Sequence, residues 1–578
     1  MRSASTLASA TVTLNEKHDL PPLPPAHYHS RYLPPPPPPP LPDPRAYAPL
    51  PPPRPAPTRH ILPPPSTVYA SPSYPLEHVC QPQQDDPAVK AAAKAAFDLA
   101  YPEYAPTFPL DALRAAEYSR LLPGDVYMDA MGGALYPAML VRAHMAFLEG
   151  AVLGSTHSES RSSLLSTAHA AAARAAVLEH FNAPPGSKVV FTANASAALK
   201  LVGETFPFGP GSTYLLPEDA HNSVHGIRQF AASAGAEVVY IPGRKGRGGV
   251  DVAKARDAIV RHAPRAGRPA LFALTGLSNL TNTPRTLRLP RRRPPAHTDT
   301  LLALAHAHGY LTLLDAAALA PTSALDMRAA RVDALAVSFY KMFGFPTGVG
   351  ALVLGPGVGE WLVGPWFAGG TVDVVQVPGT LVTRARSVEE AFEDGTLNYL
   401  LLPAIPTGLT LLRAYLPFLP TRLAALTHYL CAALAGLRHA RTGARAVRVL
   451  SRVPGAISRA DDGEEAGGTG GVVSCVFVED GCTLVPLSVV AESAAANGVM
   501  LRTGCMCNPG GAAALLDLAP FMAALRAGTT LGELERAAGR ELGVVRMSFG
   551  LASDWEDAWA VAAWARRGVE SGWAGFRG

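Results

Sequence analysis

The chain has 578 residues, 48% of them hydrophobic and 17% charged, with a formal net charge of +4. That length and apolar content allow two or more domains with a full core, while so small a net charge gives no electrostatic case for nucleic acid or a membrane surface as partner. Six cysteines, at 80, 431, 475, 482, 505 and 507, are too few for a disulfide scaffold in so long a chain, and nothing near the C-x-C pair Cys505 and Cys507 completes a zinc site, so no metal is expected.

No uninterrupted apolar run approaches the ~20 residues that span a bilayer. The first residues are rich in Ser, Thr and Ala but carry Glu16 and Asp19, which counts against a cleavable mitochondrial presequence. A reducing, cytoplasmic location is expected.

Residues 1–86 form a low-complexity arm with seven consecutive prolines, Pro34 to Pro40. Such a segment favours polyproline II and builds no packed core. It is expected to be disordered, a linker or a strip that docks SH3- or WW-type domains. Residues 87–121 turn Ala-rich and helical in pattern. Val126–Asp129 is a short extended piece, and Ser162–Phe181 reads as a helix of about five turns.

An α/β rhythm follows. Strands are expected at Lys188–Thr192, Thr213–Leu216, Glu237–Ile241, Ala270–Leu274, Tyr310–Leu314, Leu335–Ser338 and Ala351–Leu354. Helices are expected at Ala197–Thr205, Asn222–Ser233 and Thr298–His308. Short apolar runs alternating with helices imply a mostly parallel sheet covered on both faces. Arg291–Arg293 reads as a solvated loop. From about Gly395 the pattern changes to long helices, Leu397–Leu416 (bent or broken near Pro403 and Pro406) and Leu423–Leu437. The glycine-rich loop Asp461–Gly471, the strand Val472–Val478, the helix Leu487–Asn497 and the strand Val544–Phe549 follow. The fold class is α/β, with a large mostly parallel-sheet domain at 87–395 and a smaller α+β C-terminal domain at 396–578.

In a parallel sheet, ligands sit beyond the carboxyl ends of the strands. The residues found there are Asn194-Ala195-Ser196, which open a helix and suit a phosphate, then His221, Ser278-Asn279, Asp315, Tyr340 and Lys341. The chain holds eight lysines against 42 arginines, and Lys341 is the only lysine after Lys254. Arg cannot give up its proton, but a desolvated Lys can, and can then form a Schiff base. Alone, Lys341 reads equally as a lysine that snorkels from a buried strand. With a phosphate cradle, an aromatic base, an amide and a carboxylate at the other strand ends, the set matches what pyridoxal 5'-phosphate requires.

The motifs F-T-A-N-A-S-A-A-L-K (191–200), A-H-N-S-V (220–224), L-S-N-L-T-N-T (277–283), L-L-D-A-A (313–317), S-F-Y-K-M-F-G-F-P-T-G-V-G-A-L (338–352), F-A-G-G-T (367–371), F-E-D-G-T (392–396), L-R-T-G-C-M-C-N-P-G (501–510) and V-R-M-S-F-G (545–550) span about 125–575. Together they resemble the class V aminotransferase group, which contains the cysteine desulfurases, and within it the N-terminal domain of the molybdenum cofactor sulfurase family. The resemblance implies a PLP-dependent transferase of fold type I. It implies that Lys341 holds the cofactor and moves protons, Asp315 pairs with the pyridinium, His221 stacks on the ring and Asn279 lies near the phenolic oxygen. Ala195, Ser196, Ser338 and Tyr340 would hold the phosphate. Thr371 would reach the phosphate of a partner subunit, which implies a homodimer. Arg502 would take the carboxylate of L-cysteine or a related amino acid. Cys507 would accept its sulfur as a persulfide, with alanine released.

The sequence departs from the family pattern at Asn194 and Ala195, at Ser155-Thr156-His157-Ser158, and at Gly511-Ala512 where a third cysteine is common. A molybdopterin-binding domain that follows in the family is not among the 578 residues, so the sulfur acceptor, the molybdenum cofactor or another, stays open. Cys505 and Cys507 read alternatively as inert loop thiols, and either could carry the persulfide. Two further readings stand beside the desulfurase: a lyase, transaminase or epimerase acting on another amino acid, and a non-catalytic interaction protein with a Pro-rich docking arm.

Overall fold

A strand buried on both faces needs an unbroken apolar run rather than alternation, and such runs build the centre of this protein. The computed structural model describes residues 86–265, 267–283, 300–454, 470–479 and 483–573, all within one compact unit, Pro75–Gly578. The Pro-rich arm, Arg291–Arg293, Cys80, Cys482 and most of the loop Asp461–Gly471 lie outside the described residues.

The N-terminal helices Pro87–Ala100 and Pro109–Glu117 lead to β1 (Val126–Tyr127). The central sheet comprises β2 (Lys188–Thr192), β3 (Thr213–Pro217), β4 (Glu237–Ile241), β5 (Ala270–Thr275), β6 (Leu311–Asp315), β7 (Ala334–Ser338) and β8 (Gly350–Leu354). Its order is β2-β8-β7-β6-β5-β3-β4. Only β8 runs against the others, pairing antiparallel with β2 and β7. Every residue of β3, β5, β7 and β8 is buried. Because the remaining strands point one way, the chain leaves β2, β3, β5, β6 and β7 at a common edge, and the site is built there.

The sequence-derived strand limits hold to within a residue, and Asn222–Ser233 is reproduced in full. Two expectations need correction. The helix placed at Leu423–Leu437 starts a turn earlier, at Leu419, and ends at Gly436. The helix placed at Leu397–Leu416 begins only at Ala404 and ends at Tyr415, with Pro403 as its N-cap. Proline lacks an N–H and disfavours helix in the residue before it, so Leu397–Leu402 is turn; Pro406 lies in the first turn, where no N–H is needed. Several further helices were not foreseen, among them Ala138–Gly150, Val252–Arg261, Pro509–Leu516, Leu531–Ala538 and Trp555–Ser571.

Beyond β8, the hairpin of β9 (Val372–Val375) and β10 (Val382–Arg384) stands apart from the central sheet. The C-terminal part carries an antiparallel sheet of order β11-β12-β15-β14, made of β11 (Val447–Val449), β12 (Val472–Phe477), β14 (Arg502–Gly504) and β15 (Val544–Ser548). The two-residue strand β13 (Val499–Met500) pairs in parallel with β1. This pairing brings the start of the folded chain beside β14, and both meet the edge of the large sheet at the site.

Candidate active site

Each strand end contributes through local structure. After β2, Asn194 caps the helix Ala195–Thr205, its Oδ1 accepting from the Ala197 N–H at 3.0 Å. Its φ is −176°, ordinary extended backbone, so the turn does not need the glycine the family places there. The Ala195 N–H donates to Ser338 Oγ at 2.8 Å, tying the end of β7 to that of β2. The Ser196 hydroxyl lies 2.6 Å from Ser223 Oγ.

After β3, His221 caps the helix Asn222–Ser233. Its Nδ1 accepts from the Ser223 N–H at 3.1 Å, which assigns the lone pair to Nδ1 and the proton of the neutral ring to Nε2. Burial holds the ring below the usual histidine range; Asp315 opposes the shift and Lys341 reinforces it. After β6, Asp315 is buried and accepts from the Ala317 N–H at 3.1 Å. After β7, the short helix Phe339–Phe343 carries Lys341. Burial pushes the Lys341 amine below the ordinary lysine range. Asp315 pulls it back up, Arg546 and Arg502 push it further down, and Cys507 raises it. Desolvation thus shifts the amine toward its neutral, nucleophilic form.

These residues close around one cavity of about 180 Å³, lined by Asn194, Ala195, Ser196, His221, Asn279, Asp315, Ser338, Tyr340 and Lys341 together with Thr275. The Thr275 hydroxyl is buried there with no hydrogen-bond partner. An orphaned donor beside a helix N-terminus, a carboxylate and a depressed lysine fits a bound group with an anionic end, a basic ring nitrogen and an electrophilic carbon. Thr371 is not in this cavity. It is buried, and its hydroxyl is engaged by Ala368 through the N–H (2.8 Å) and the carbonyl (2.9 Å).

Antiparallel pairing sets Arg502 of β14 opposite Arg546 of β15. Both bind Asp129, which follows β1. Arg502 donates to its Oδ2 from Nε (3.1 Å) and Nη2 (2.6 Å), and Arg546 Nη2 to its Oδ1 (2.8 Å). The Asp129 hydrogen bonds hold the Arg502 guanidinium above its usual range, whereas burial lowers that of Arg546. Arg546 Nε is buried without a partner. Burial raises the hydroxyl of Tyr340, whose charged neighbours are Arg502 and Asp129.

The loop after β14 carries the two thiols. Cys507 is exposed and Cys505 half-buried. Burial pushes the Cys505 thiol up, which counts against Cys505 as the nucleophile. Asn279 turns its side chain to this loop, donating to the Met506 carbonyl (2.8 Å) and accepting from Asn508 Nδ2 (3.1 Å). Cys431 and Cys475 are core thiols, the former pushed up to about 12 by burial.

The sequence reading missed Asp129, Thr275 and Arg546. Thr275 and Arg546 each end or occupy a buried strand, a signal of the kind that did identify Asp315.

A mostly parallel sheet with a desolvated lysine and a carboxylate at neighbouring strand ends defines a class of α/β proteins that hold a carbonyl-bearing cofactor through lysine. Residues 126–461 match the family described as Aminotransferase class-V, and the chain belongs to that family. It is 33% identical over 472 residues to a molybdenum cofactor sulfurase of Bos taurus, covering 78% of this chain and 51% of that relative. It is 32% identical over 472 residues to one of Arabidopsis thaliana, covering 77% and 56%. The chain therefore spans about half the length of these relatives. Among solved structures it is similar to the apo cysteine desulfurase of Thermococcus onnurineus NA1, at a TM-score of 0.62 and 21% identity, covering 79% of this chain and 98% of that one. It is also similar to a C-DES variant with glycine covalently linked to its PLP cofactor, at a TM-score of 0.56 and 17% identity, covering 78% and 98%. These likenesses bear out the expected fold.

Proposed function

We propose that this chain is a pyridoxal-phosphate-dependent enzyme of the cysteine desulfurase type, which takes sulfur from L-cysteine as a persulfide on Cys507 and releases alanine. The observation that carries this reading is an exposed thiol, Cys507, on a loop tied to the cavity wall: its carbonyl accepts from the Asn222 N–H at 2.7 Å, next to the cavity-lining His221. An accessible thiol on a loop tied to the segment that carries His221 suits sulfur transfer from an amino acid held in the cavity that His221 and Lys341 line.

Bound pyridoxal phosphate supplies an electron sink for the α-carbon of an amino acid. Lys341 would hold it and move a proton at Nζ. Asp315 would pair with its ring nitrogen, His221 would lie against the ring, and the Asn194–Ser196 turn with Ser338 would take its phosphate. Arg502 and Arg546 receive the substrate carboxylate by charge-assisted hydrogen bonds, in competition with Asp129. The Cys507 thiolate attacks the substrate sulfur. An S–S bond forms, the Cβ–S bond breaks with its electron pair left on carbon, and that carbon takes a proton and leaves as alanine. The sulfur acceptor in this reading is the molybdenum cofactor, the group for which the relatives are named, and the working unit is a homodimer.

Purified protein incubated with pyridoxal phosphate and L-cysteine is expected to release alanine and form a persulfide in step. Cys507→Ser abolishes both and Cys505→Ser retains both. Alanine release at the parent rate by Cys507→Ser would overturn the role of the thiol. No alanine from L-cysteine, with another amino acid changing the visible absorbance of the loaded protein, would move the reaction to that substrate.

A further inference from the structure

We infer that Asp219 is a positioning residue for the Cys507 thiol, acting through Asn508; the inference rests on the desulfurase reading above. The backbone of the thiol loop is held in an unfavourable shape. Met506 and Cys507 are consecutive non-glycine residues with φ of 56° and 54°. Left-handed backbone of this kind costs about 1–2 kcal/mol per residue and persists only where surrounding structure imposes it.

The restraints are visible. The Asn222 N–H donates to the Cys507 carbonyl at 2.7 Å, and Asn279 Nδ2 to the Met506 carbonyl at 2.8 Å. Asn508, the next residue, is fully buried. Its Oδ1 accepts from the Gly511 N–H at 2.9 Å and caps the helix Pro509–Leu516. Its Nδ2 donates to Asp219 Oδ1 at 2.6 Å. Asp219, also fully buried, accepts from Ser278 Oγ (2.8 Å) on the same oxygen, and from Thr281 Oγ1 (3.1 Å) and the Gly249 N–H (2.7 Å) on Oδ2. Both carboxylate oxygens are thus fixed by other segments, and Asn508 hangs the thiol loop on that fixed point. The loop lies flush against this anchor: a Cβ at Gly510 would run into the Glu218 carbonyl.

Asp219 stands two residues before His221. One short segment therefore carries both the cavity-lining imidazole and the anchor of the thiol, so Asp219 sets the position of Cys507 relative to the cavity. An exposed thiol on a pinned backbone does not swing outward to deliver sulfur; its acceptor must come to it.

Asn508→Asp tests this directly. It keeps the oxygen that caps the helix but sets a carboxylate against Asp219. Asp219→Asn removes the acceptor from the other side. In the double variant D219N/N508D the amide and the carboxylate change places, so the link is restored with donor and acceptor reversed. Each single variant is expected to speed amide hydrogen exchange at 505–508 and alkylation of Cys507 in cofactor-free protein. Each should lower kcat for persulfide formation about ten- to a hundredfold, the size expected for a misplaced reacting group, with KM for L-cysteine unchanged; the double variant should reverse these effects. Ser278→Ala, which removes one of the three other donors that fix Asp219, should move all of them less than either single variant does. Local exchange at the parent rate in both single variants, kcat unaffected by a freed loop, or an equal effect from Ser278→Ala would each overturn the assignment. If both single variants unfold, the double variant and Ser278→Ala decide: a folded double variant with parent exchange and kcat beside a folded Ser278→Ala supports it, and any other pattern overturns it. Exchange and alkylation need no turnover, so absence of alanine release in the parent would count against the desulfurase reading and leave the anchor separately measured.

Discussion

Lys341 is the point at which burial becomes chemistry. Its amine is held below the ordinary lysine value chiefly by loss of water, and that has a consequence for stability as well as for reactivity. Between the lowered folded pKa and the unfolded value near ~10.4, the unfolded chain binds more protons than the folded one, so stability rises with pH across that window. Below it, folding carries the full cost of burying the charged amine. Lys341→Met, of similar volume and without charge, is therefore expected to make the cofactor-free protein more stable than the parent at pH 7, the gap closing as pH approaches the unfolded value. Thermal or urea unfolding at pH 7 and pH 10 measures it, and a parent as stable as the variant at pH 7 would contradict the desolvation account. The same variant should lose about 10²–10⁴-fold in activity if the amine transfers protons. Lys341 and Asp315 could be read from sequence because each closes an apolar run with a polar group. Arg546 also breaks an apolar run, but that signal alone does not set it apart, since it is one of 42 arginines and its meaning comes from Asp129, 417 residues away. Asp219 was hidden for the same reason: Asn508 lies 289 residues off, and no local period reports a contact that only the tertiary fold creates.

At the scale of elements, the strands were legible because a sheet covered on both faces imposes a continuous apolar code on each of them, and the helix at Leu397–Leu416 was overextended because a leucine-rich run continues through a proline that stops it. The antiparallel β8 is the element on which the site depends most. It runs between β2 and β7, and at Gly350 it passes directly under the turn that opens the Ala195–Thr205 helix. A Cβ at Gly350 would stand 2.6 Å from the Asn194 backbone and 2.6 Å from the Val337 carbonyl, neither of which can rotate aside. Gly350→Ala is expected to cost about 1–3 kcal/mol, as overpacking of a tight interior does, and to weaken pyridoxal phosphate binding because the Asn194 turn must lift. Unfolding in urea gives the first and titration of the visible absorbance the second; a variant with parent stability and parent affinity would show that the turn is not braced by β8.

At the scale of the whole molecule, an apolar surface among the described residues stands without cover. Trp361, Val363, Trp366 and Phe367 are exposed just after β8, and Val377 and Leu381 are exposed on the β9–β10 hairpin. Arg384 of β10 donates to the carbonyls of Gly364 and Trp366, each at 2.7 Å, so the hairpin and the tryptophan segment form one continuous piece. Large exposed aromatic and aliphatic side chains in contiguous sequence mark an interaction surface. A second copy of the chain is the occupant consistent with the homodimer proposed above, because Thr371 lies in this same piece and away from the cavity of its own subunit. A stable pairing of this kind buries about 1,200–2,000 Å² or more. The protein is therefore expected to sediment at twice its 60.5 kDa, and Trp366→Glu combined with Val377→Glu to sediment as a monomer. That monomer should keep the fold, by circular dichroism, and lose affinity for pyridoxal phosphate if the partner's loop completes the phosphate site. A monomeric parent would remove the homodimer, and a monomeric variant that binds the cofactor as the parent does would leave each cavity complete within its own chain.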